Sequence, residues 1–215
     1  SDILVIPHAL GQHLEFVPGE GPKLDAIKDA SGLGRLNYSK FQSTLNPVYE
    51  ALQKTKAGLQ AEGHHGTALI GFCGAPWTVA CYMVEGGGSK DYIDVKRFMY
   101  SDPNGFAELI DMLVEASAAY LINQIEAGAE AVQIFDSWAG ALDPSSFKKW
   151  VIEPTRKIVD LGRYSHPNVP IIGFPRCAGS NYMNYVRDTG VTAVGLDTSV
   201  DTQWAARTLQ PLVPV

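Results

Sequence analysis

The sequence predicts an α/β fold on a parallel sheet, closed as a (β/α)8 TIM barrel that is incomplete here. Three observations carry this. Short apolar runs at residues 68–70, 131–135, 169–174 and 193–196 alternate with longer amphipathic segments, the element order that a parallel sheet requires. Each run exits into a polar or special residue, at Cys73-Gly74, Asp136-Ser137, Pro175-Arg176 and Asp197. Apolar residues make up 46% of the 215, enough for a substantial core in a single domain over 1–215. About six β-then-α units are read where a closed barrel has eight. Because the chain starts in an apolar burst and stops just after another expected strand begins, about strands 2 to 7 of the barrel are expected. An open doubly wound sheet is the alternative.

In chain order, Asp2-Ile3-Leu4-Val5-Ile6-Pro7 reads as the end of a buried strand, and residues 8–40, rich in Gly, Pro and polar groups, as a long excursion. Apolar spacing at Leu45, Val48, Tyr49, Leu52 and Leu59 predicts a helix over 45–61, closed by Gly63-His64-His65-Gly66. A strand over 67–72 follows. Gly71 and Gly74 permit a sharp turn, Pro76 suits a first helical turn, and a helix over 77–85 stops at Gly86-Gly87-Gly88. A helix is expected over 92–100. Asp102-Pro103 opens the longest one, to about 127, with Phe106, Leu109, Ile110 and Leu113 on its apolar face. After the strand at 131–135, Asp143-Pro144 caps a helix to about 161, with a kink expected at Pro154. The strand at 169–174 precedes a helix over 182–188. The strand at 193–196 precedes a helix over 201–206, and Thr208-Leu209-Gln210 reads as the start of another strand. No internal repeat is found.

Net charge is −6, which argues against a nucleic-acid partner and means that a polyanionic ligand must meet local positive groups. No apolar run of about 18 residues is present, so no membrane span is expected, and no charged-then-apolar leader points to secretion. Three Cys without paired metal spacing fit a reducing cytoplasm. Residues 86–90 lack the order of a phosphate loop, His64-His65 reads as a solvated turn, and no G-x-S-x-G surrounds Ser137. Cys73, Cys81 and Cys177 read as structural thiols rather than zinc ligands.

In a barrel the strand exits converge on one mouth. Phe72, Phe135 and Phe174 either wall that mouth or simply pack beneath its loops; the sequence leaves both open. Asp2 either caps a backbone turn or faces the cavity, where a carboxylate would hold ligand N–H donors or stabilise a cation formed in reaction. Tyr82, one helical turn past the Gly74 corner, could aim its hydroxyl into the same space. Arg176 is either a surface residue or a carboxylate contact.

Several blocks of the chain resemble uroporphyrinogen decarboxylases. These are Gly71-Phe72-Cys73-Gly74-Ala75-Pro76-Trp77-Thr78 with Tyr82-Met83-Val84-Glu85-Gly86-Gly87-Gly88-Ser89, then residues 1–11, residues 133–142, residues 170–174 and residues 194–197. The resemblance covers nearly the whole chain in the family's order. It implies a (β/α)8 barrel acting as a cytoplasmic homodimer without metal or organic cofactor. It also implies a carboxy-lyase of porphyrin and heme biosynthesis that converts the four acetates of uroporphyrinogen III to methyls, giving coproporphyrinogen III. By matching motif, Asp2 resembles the catalytic carboxylate under the macrocycle, Tyr82 the cleft tyrosine and Ser137 the serine on a substrate carboxylate. Phe72 and Phe135 match apolar cleft positions, and Arg176 stands where a basic residue follows a strand. The family's N-terminal arginine motif and C-terminal histidine segment are not in this sequence, so little or no turnover is expected of the chain alone. Two alternatives are a zinc-dependent corrinoid methyltransferase of a related barrel family, whose His-x-Cys is replaced by Pro175-Arg176-Cys177, and a non-catalytic porphyrin-binding fragment.

Overall fold

In a computed structural model, residues 2–215 are described, and Ser1 of the first matching block lies outside them. The chain opens with a turn and a short helix, α1 (Val5–Ala9), rather than the expected strand end. Asp2 Oδ1 accepts the Leu4 N–H at 2.8 Å and bends the backbone. Leu4, Ile6, Ala9 and Leu10 are buried together, and an apolar run this short fits a buried helix as well as a strand. The excursion over residues 8–40 contains an antiparallel hairpin, β1 (Leu14–Val17) and β2 (Gly21–Leu24), and a 3₁₀ turn over Ala30–Arg35.

Helix α2 (Phe41–Ala61) starts earlier than its periodicity indicates because Phe41 is itself buried. Strand β3 (Ile70–Gly74) turns through Ala75 into α3 (Pro76–Glu85). Gly86 ends α3 in the left-handed region at φ 80°, its N–H bonded to Tyr82 O at 2.9 Å. After α4 (Ile93–Ser101), Asp102 caps α5 (Pro103–Glu126) by accepting the Gly105 N–H at 2.9 Å. Strand β4 (Ala131–Asp136) leads to α6 (Pro144–Phe147), which Asp143 caps through the Ser145 and Ser146 N–H groups. A π turn over Lys148–Ile152 joins α6 to α7 (Glu153–Ser165). It stands where a kink was expected: Pro154 offers no N–H to the carbonyl four residues back, and the helix widens just before it. Strand β5 (Ile171–Pro175), α8 (Tyr182–Thr189), β6 (Ala193–Val194) and α9 (Thr202–Thr208) complete the order.

Among the described residues four parallel strands result, not about six, hydrogen-bonded in chain order β3-β4-β5-β6. The strand expected over 193–196 is regular only at Ala193–Val194, although Gly195 N–H still reaches Gly173 O at 2.8 Å. No strand begins at 208–210. Leu209 N–H bonds Ala205 O at 2.8 Å and prolongs the helical turn, and the chain meets β6 only at Pro214, whose carbonyl accepts the Val194 N–H at 3.0 Å.

Alternation along the strands separates the two faces of this sheet. Cys73, Val132, Ile134, Ile171 and Val194 are buried on one face, against which α3 and α5 pack. Phe72, Gln133, Phe135, Ile172 and Phe174 are half-buried on the other. At the edge, the Gln124 side chain of α5 accepts the Phe72 N–H at 3.0 Å and donates to the Phe72 carbonyl at 2.9 Å, satisfying backbone groups that lack a strand partner.

The end of β3 is built around Gly74. A Cβ there would stand 2.6 Å from Val79 Cγ2 and 3.0 Å from Ile3 Cβ, so this glycine lets both α3 and the turn carrying Asp2 close onto the strand exit. Gly74→Ala is expected to cost about 1–3 kcal/mol through overpacking. Denaturant unfolding of the parent and the variant measures it; unchanged stability would show that the corner yields freely.

Candidate functional site

The exits of the parallel strands and the first turn of α3 meet at the carboxyl end of the sheet, the end where α/β proteins bind ligands. Phe135 touches both Phe72 and Phe174, each pair edge-to-face with ring centroids 5.8 Å apart. All three rings stand on the face away from the helices, so they do not pack into the helix-covered core.

Asp2 lies beside this corner because Ile3 seats against Gly74. One of its carboxylate oxygens holds the Leu4 N–H, so the turn-capping reading holds for that atom. The Asp2 charge also reaches Tyr82. Burial raises the Tyr82 phenol above its ordinary range, and the Asp2 carboxylate raises it further. The Tyr82 ring stacks on Trp138 with centroids 4.1 Å apart and planes 24° apart, and the Tyr92 ring meets Trp138 from 5.3 Å. Tyr92 takes up the left-handed region at φ 54°, and its N–H is held by Ser89 Oγ at 3.0 Å.

Beneath the stack lies Asp136, 1% exposed. Its Oδ1 accepts the Thr78 hydroxyl at 2.5 Å, and Thr78 Oγ1 in turn accepts the Trp138 N–H at 3.1 Å. Asp136 Oδ2 is buried without a partner among the described residues. Burial pushes its carboxyl up to about 7, against the pull of Thr78.

Ser137 is half-buried between Asp136 and Trp138, and its hydroxyl bonds no other described residue. Arg176 is exposed; its N–H bonds Asp136 O at 3.0 Å, and its carbonyl accepts the Gly140 N–H at 3.1 Å, which ties the β4 and β5 exit loops together. The guanidinium forms no ion pair among the described residues, and its charge acts on Tyr92. Asp197 fixes the next loop, accepting the Cys177 N–H at 2.7 Å, the Tyr182 hydroxyl at 3.0 Å and the Ser199 N–H at 2.9 Å. Burial would lift its carboxyl, but these donors and the Ser199 hydroxyl together hold it down at about 2.

Of these residues, Tyr82 stacks on Trp138, Asp2 reaches Tyr82 through its charge, Arg176 reaches Tyr92 in the same way, Ser137 precedes Trp138 in the chain, and Phe72 and Phe135 are in contact on the open face of the sheet. Thr78, Trp138, Tyr92 and the buried role of Asp136 are not visible in the sequence; an acid closing an apolar strand beside a tryptophan is the one local signal. Among the described residues no three His, Cys, Asp or Glu side chains gather as a metal site. Burial pushes the Cys73 thiol up to about 12 and raises Cys81 as well, while Cys177 is exposed. Among the described residues no helix is long and apolar enough to cross a membrane.

Fold and geometry define the class: a parallel α/β protein with an aromatic, carboxylate-bearing surface at the strand ends, where proteins of this class bind small molecules. The chain belongs to the uroporphyrinogen decarboxylase (URO-D) family, which it matches over residues 1–215. It is 50% identical over all 215 residues to the uroporphyrinogen decarboxylase of Rhodospirillum rubrum, 51% to that of a Chelativorans species and 46% to that of Novosphingobium aromaticivorans. The chain spans 61% of the length of each of these relatives.

Asp136 gives the fold a pH dependence of defined sign. Its carboxyl binds a proton more tightly when folded (about 7) than ordinarily (3.8), so its contribution is fully present below pH 3.8 and is lost as pH rises through about 7. Asp136→Asn removes the ionisation. Its stability relative to the parent should therefore grow across that window, by up to ~4 kcal/mol, and level off above it. Denaturant unfolding at a series of pH values tests this, and a difference that does not vary with pH would contradict it.

Proposed function

We propose that the protein is a carboxy-lyase that converts the four acetate side chains of uroporphyrinogen III to methyls, giving coproporphyrinogen III. The observation that supports the reading, beyond family membership, is the Asp2 carboxylate, held at the exit of β3 by Ile3 against Gly74, with its charge reaching the Tyr82 phenol. Loss of carbon dioxide from an acetate on a pyrrole leaves an electron pair that needs a sink. Protonating a ring carbon makes the pyrrole cationic. The bond to the carboxylate then breaks, its electron pair flows into the ring, and carbon dioxide departs. Protonation of the exocyclic carbon gives the methyl and the ring proton returns to the medium, for a net uptake of one proton. Asp2 stabilises the cation and accepts pyrrole N–H groups with the oxygen that does not hold Leu4, an electrostatic role fixed before the reaction begins.

Tyr82 and Ser137 face the substrate in this reading, Phe72 and Phe135 cover its apolar face, and Arg176 meets a carboxylate that the net charge of −6 would otherwise repel. The four-stranded sheet reads as an arc of an incomplete (β/α)8 barrel in a single domain, with four of the roughly six strands the sequence suggested. The uncovered aromatic face supports this, since parallel sheets are ordinarily covered on both faces. The strand order and the approach of Pro214 to the outer edge of β6 support it as well. A homodimer follows from the family resemblance. Three free cysteines, two of them buried, suit the cytoplasm.

In the protein carrying this chain, Asp2→Asn is expected to lower kcat about 100-fold or more, the size of a lost preorganised electrostatic contact. Incubation with uroporphyrinogen III, with product carboxylates counted by mass spectrometry, reads the effect. Turnover near the parent rate would remove Asp2 from the mechanism.

A further inference from the structure

We propose that Asp136 and Thr78 are positioning residues that act through Trp138 to hold the Tyr82 phenol and the Ser137 backbone in register for the reaction proposed above, on which this inference rests. Both backbone groups of Trp138 are tied to the first turn of α3. Its N–H donates to Thr78 Oγ1 at 3.1 Å, and its carbonyl accepts from Trp77 Nε1 at 3.0 Å. Trp77 and Thr78 are fully buried, so these anchors belong to the core rather than to a mobile loop. The Trp138 ring then stacks on Tyr82, one helical turn further along the same helix. The exit loop of β4 is therefore held by α3 at its backbone and braces α3 with its ring, a closed loop of contacts with Ser137 inside it.

Asp136 decides how Thr78 behaves. Because the Thr78 oxygen accepts from Trp138, its single hydrogen is free to point at Asp136 Oδ1, 2.5 Å away. The titratable groups whose charge is coupled to Asp136 are Cys81 on α3 and Tyr185 on α8, and no Lys, Arg or His among the described residues pairs with it. Tyr185 Oη and Thr155 Oγ1 are buried nearby without a well-formed hydrogen bond, and the Thr155 hydroxyl only partly offsets the burial that raises the Tyr185 phenol. A polar layer left this incompletely satisfied is costly unless it fixes something, and the atom it fixes is the Trp138 N–H.

The test labels the protein with 5-fluorotryptophan, assigns the Trp138 resonance from Trp138→Phe, and measures kcat and KM with uroporphyrinogen III in the protein carrying this chain. Thr78→Val, which keeps shape but loses the hydroxyl, should shift the Trp138 resonance and lower kcat about tenfold, as expected for one buried hydrogen bond, with a smaller change in KM. Thr78→Ser should restore both. An unmoved resonance, or a moved one with parent kcat, overturns the proposal. Should Thr78→Val not fold, Asp136→Asn decides. It keeps an acceptor for Thr78, so the resonance should stay in place but lose a pH step near the Asp136 value of about 7, and a step that survives in this variant overturns the proposal. If the parent does not turn over uroporphyrinogen III, the functional reading fails, and the resonance still judges whether Thr78 holds Trp138.

Discussion

Among the described residues helices pack on one face of the parallel sheet, and the rest of the architecture follows from that constraint. With a side-chain period of two, a strand with helices on one face divides its residues cleanly. Cys73, Val132, Ile134 and Ile171 go to the helices and are buried, while Phe72, Phe135 and Phe174 go to the other face and remain half-open. Three aromatic rings side by side in edge-to-face contact form a continuous apolar surface that ends where the exit loops begin. The helix side is anchored by long aromatic packing, with Phe106 of α5 meeting Trp77, Phe98 and Trp150. The loops can therefore carry polar groups without giving up the core.

What the sequence revealed divides along physical lines. Features fixed by local chemistry were legible. Asp102, Asp143 and Asp201 accept N–H groups at helix starts, Gly86 closes α3, and the strand at 131–135 is one residue from its observed end. Features that depend on distant partners were not. The apolar run at residues 3–6 became a turn and the start of α1 because the Asp2 side chain turned the backbone and neighbouring elements buried what followed. The apparent strand at 208–210 continued a helical turn because Ala205 offered a carbonyl. In the candidate site, the Phe ladder is legible from the strand exits, whereas Asp2 stands on a turn and not on the strand end its apolar run suggests. The Tyr82–Trp138–Tyr92 stack is not legible, because its members come from three loops and helices with no shared spacing.

Three aspartates at this end of the sheet show how one residue type acquires different properties. Asp197 collects donors from two loops, and they outweigh its partial burial, so it stays charged and acts as a staple. Asp136 has Thr78 and little else, so burial dominates and its proton is held to near neutrality. Asp2 spends one oxygen on Leu4 and stays half-buried. Number of donors against depth of burial orders Asp197 and Asp136 without further assumption.

The aromatic stack has a polarity that bears on how a ligand with ring N–H groups and peripheral carboxylates would lie. At one end Tyr82 feels the negative charge of Asp2. At the other Tyr92 feels the positive charge of Arg176, and Lys96 Nζ stands 5.6 Å from its ring. Trp138 lies between them. An anionic chain repels a polycarboxylate overall, yet this short axis offers cations at one end and an acceptor at the other. In the proposed reaction the carboxylates belong at the Tyr92 end and the pyrrole nitrogens at the Tyr82 end. That orientation brings the cation formed on the ring towards Asp2 rather than towards the arginine.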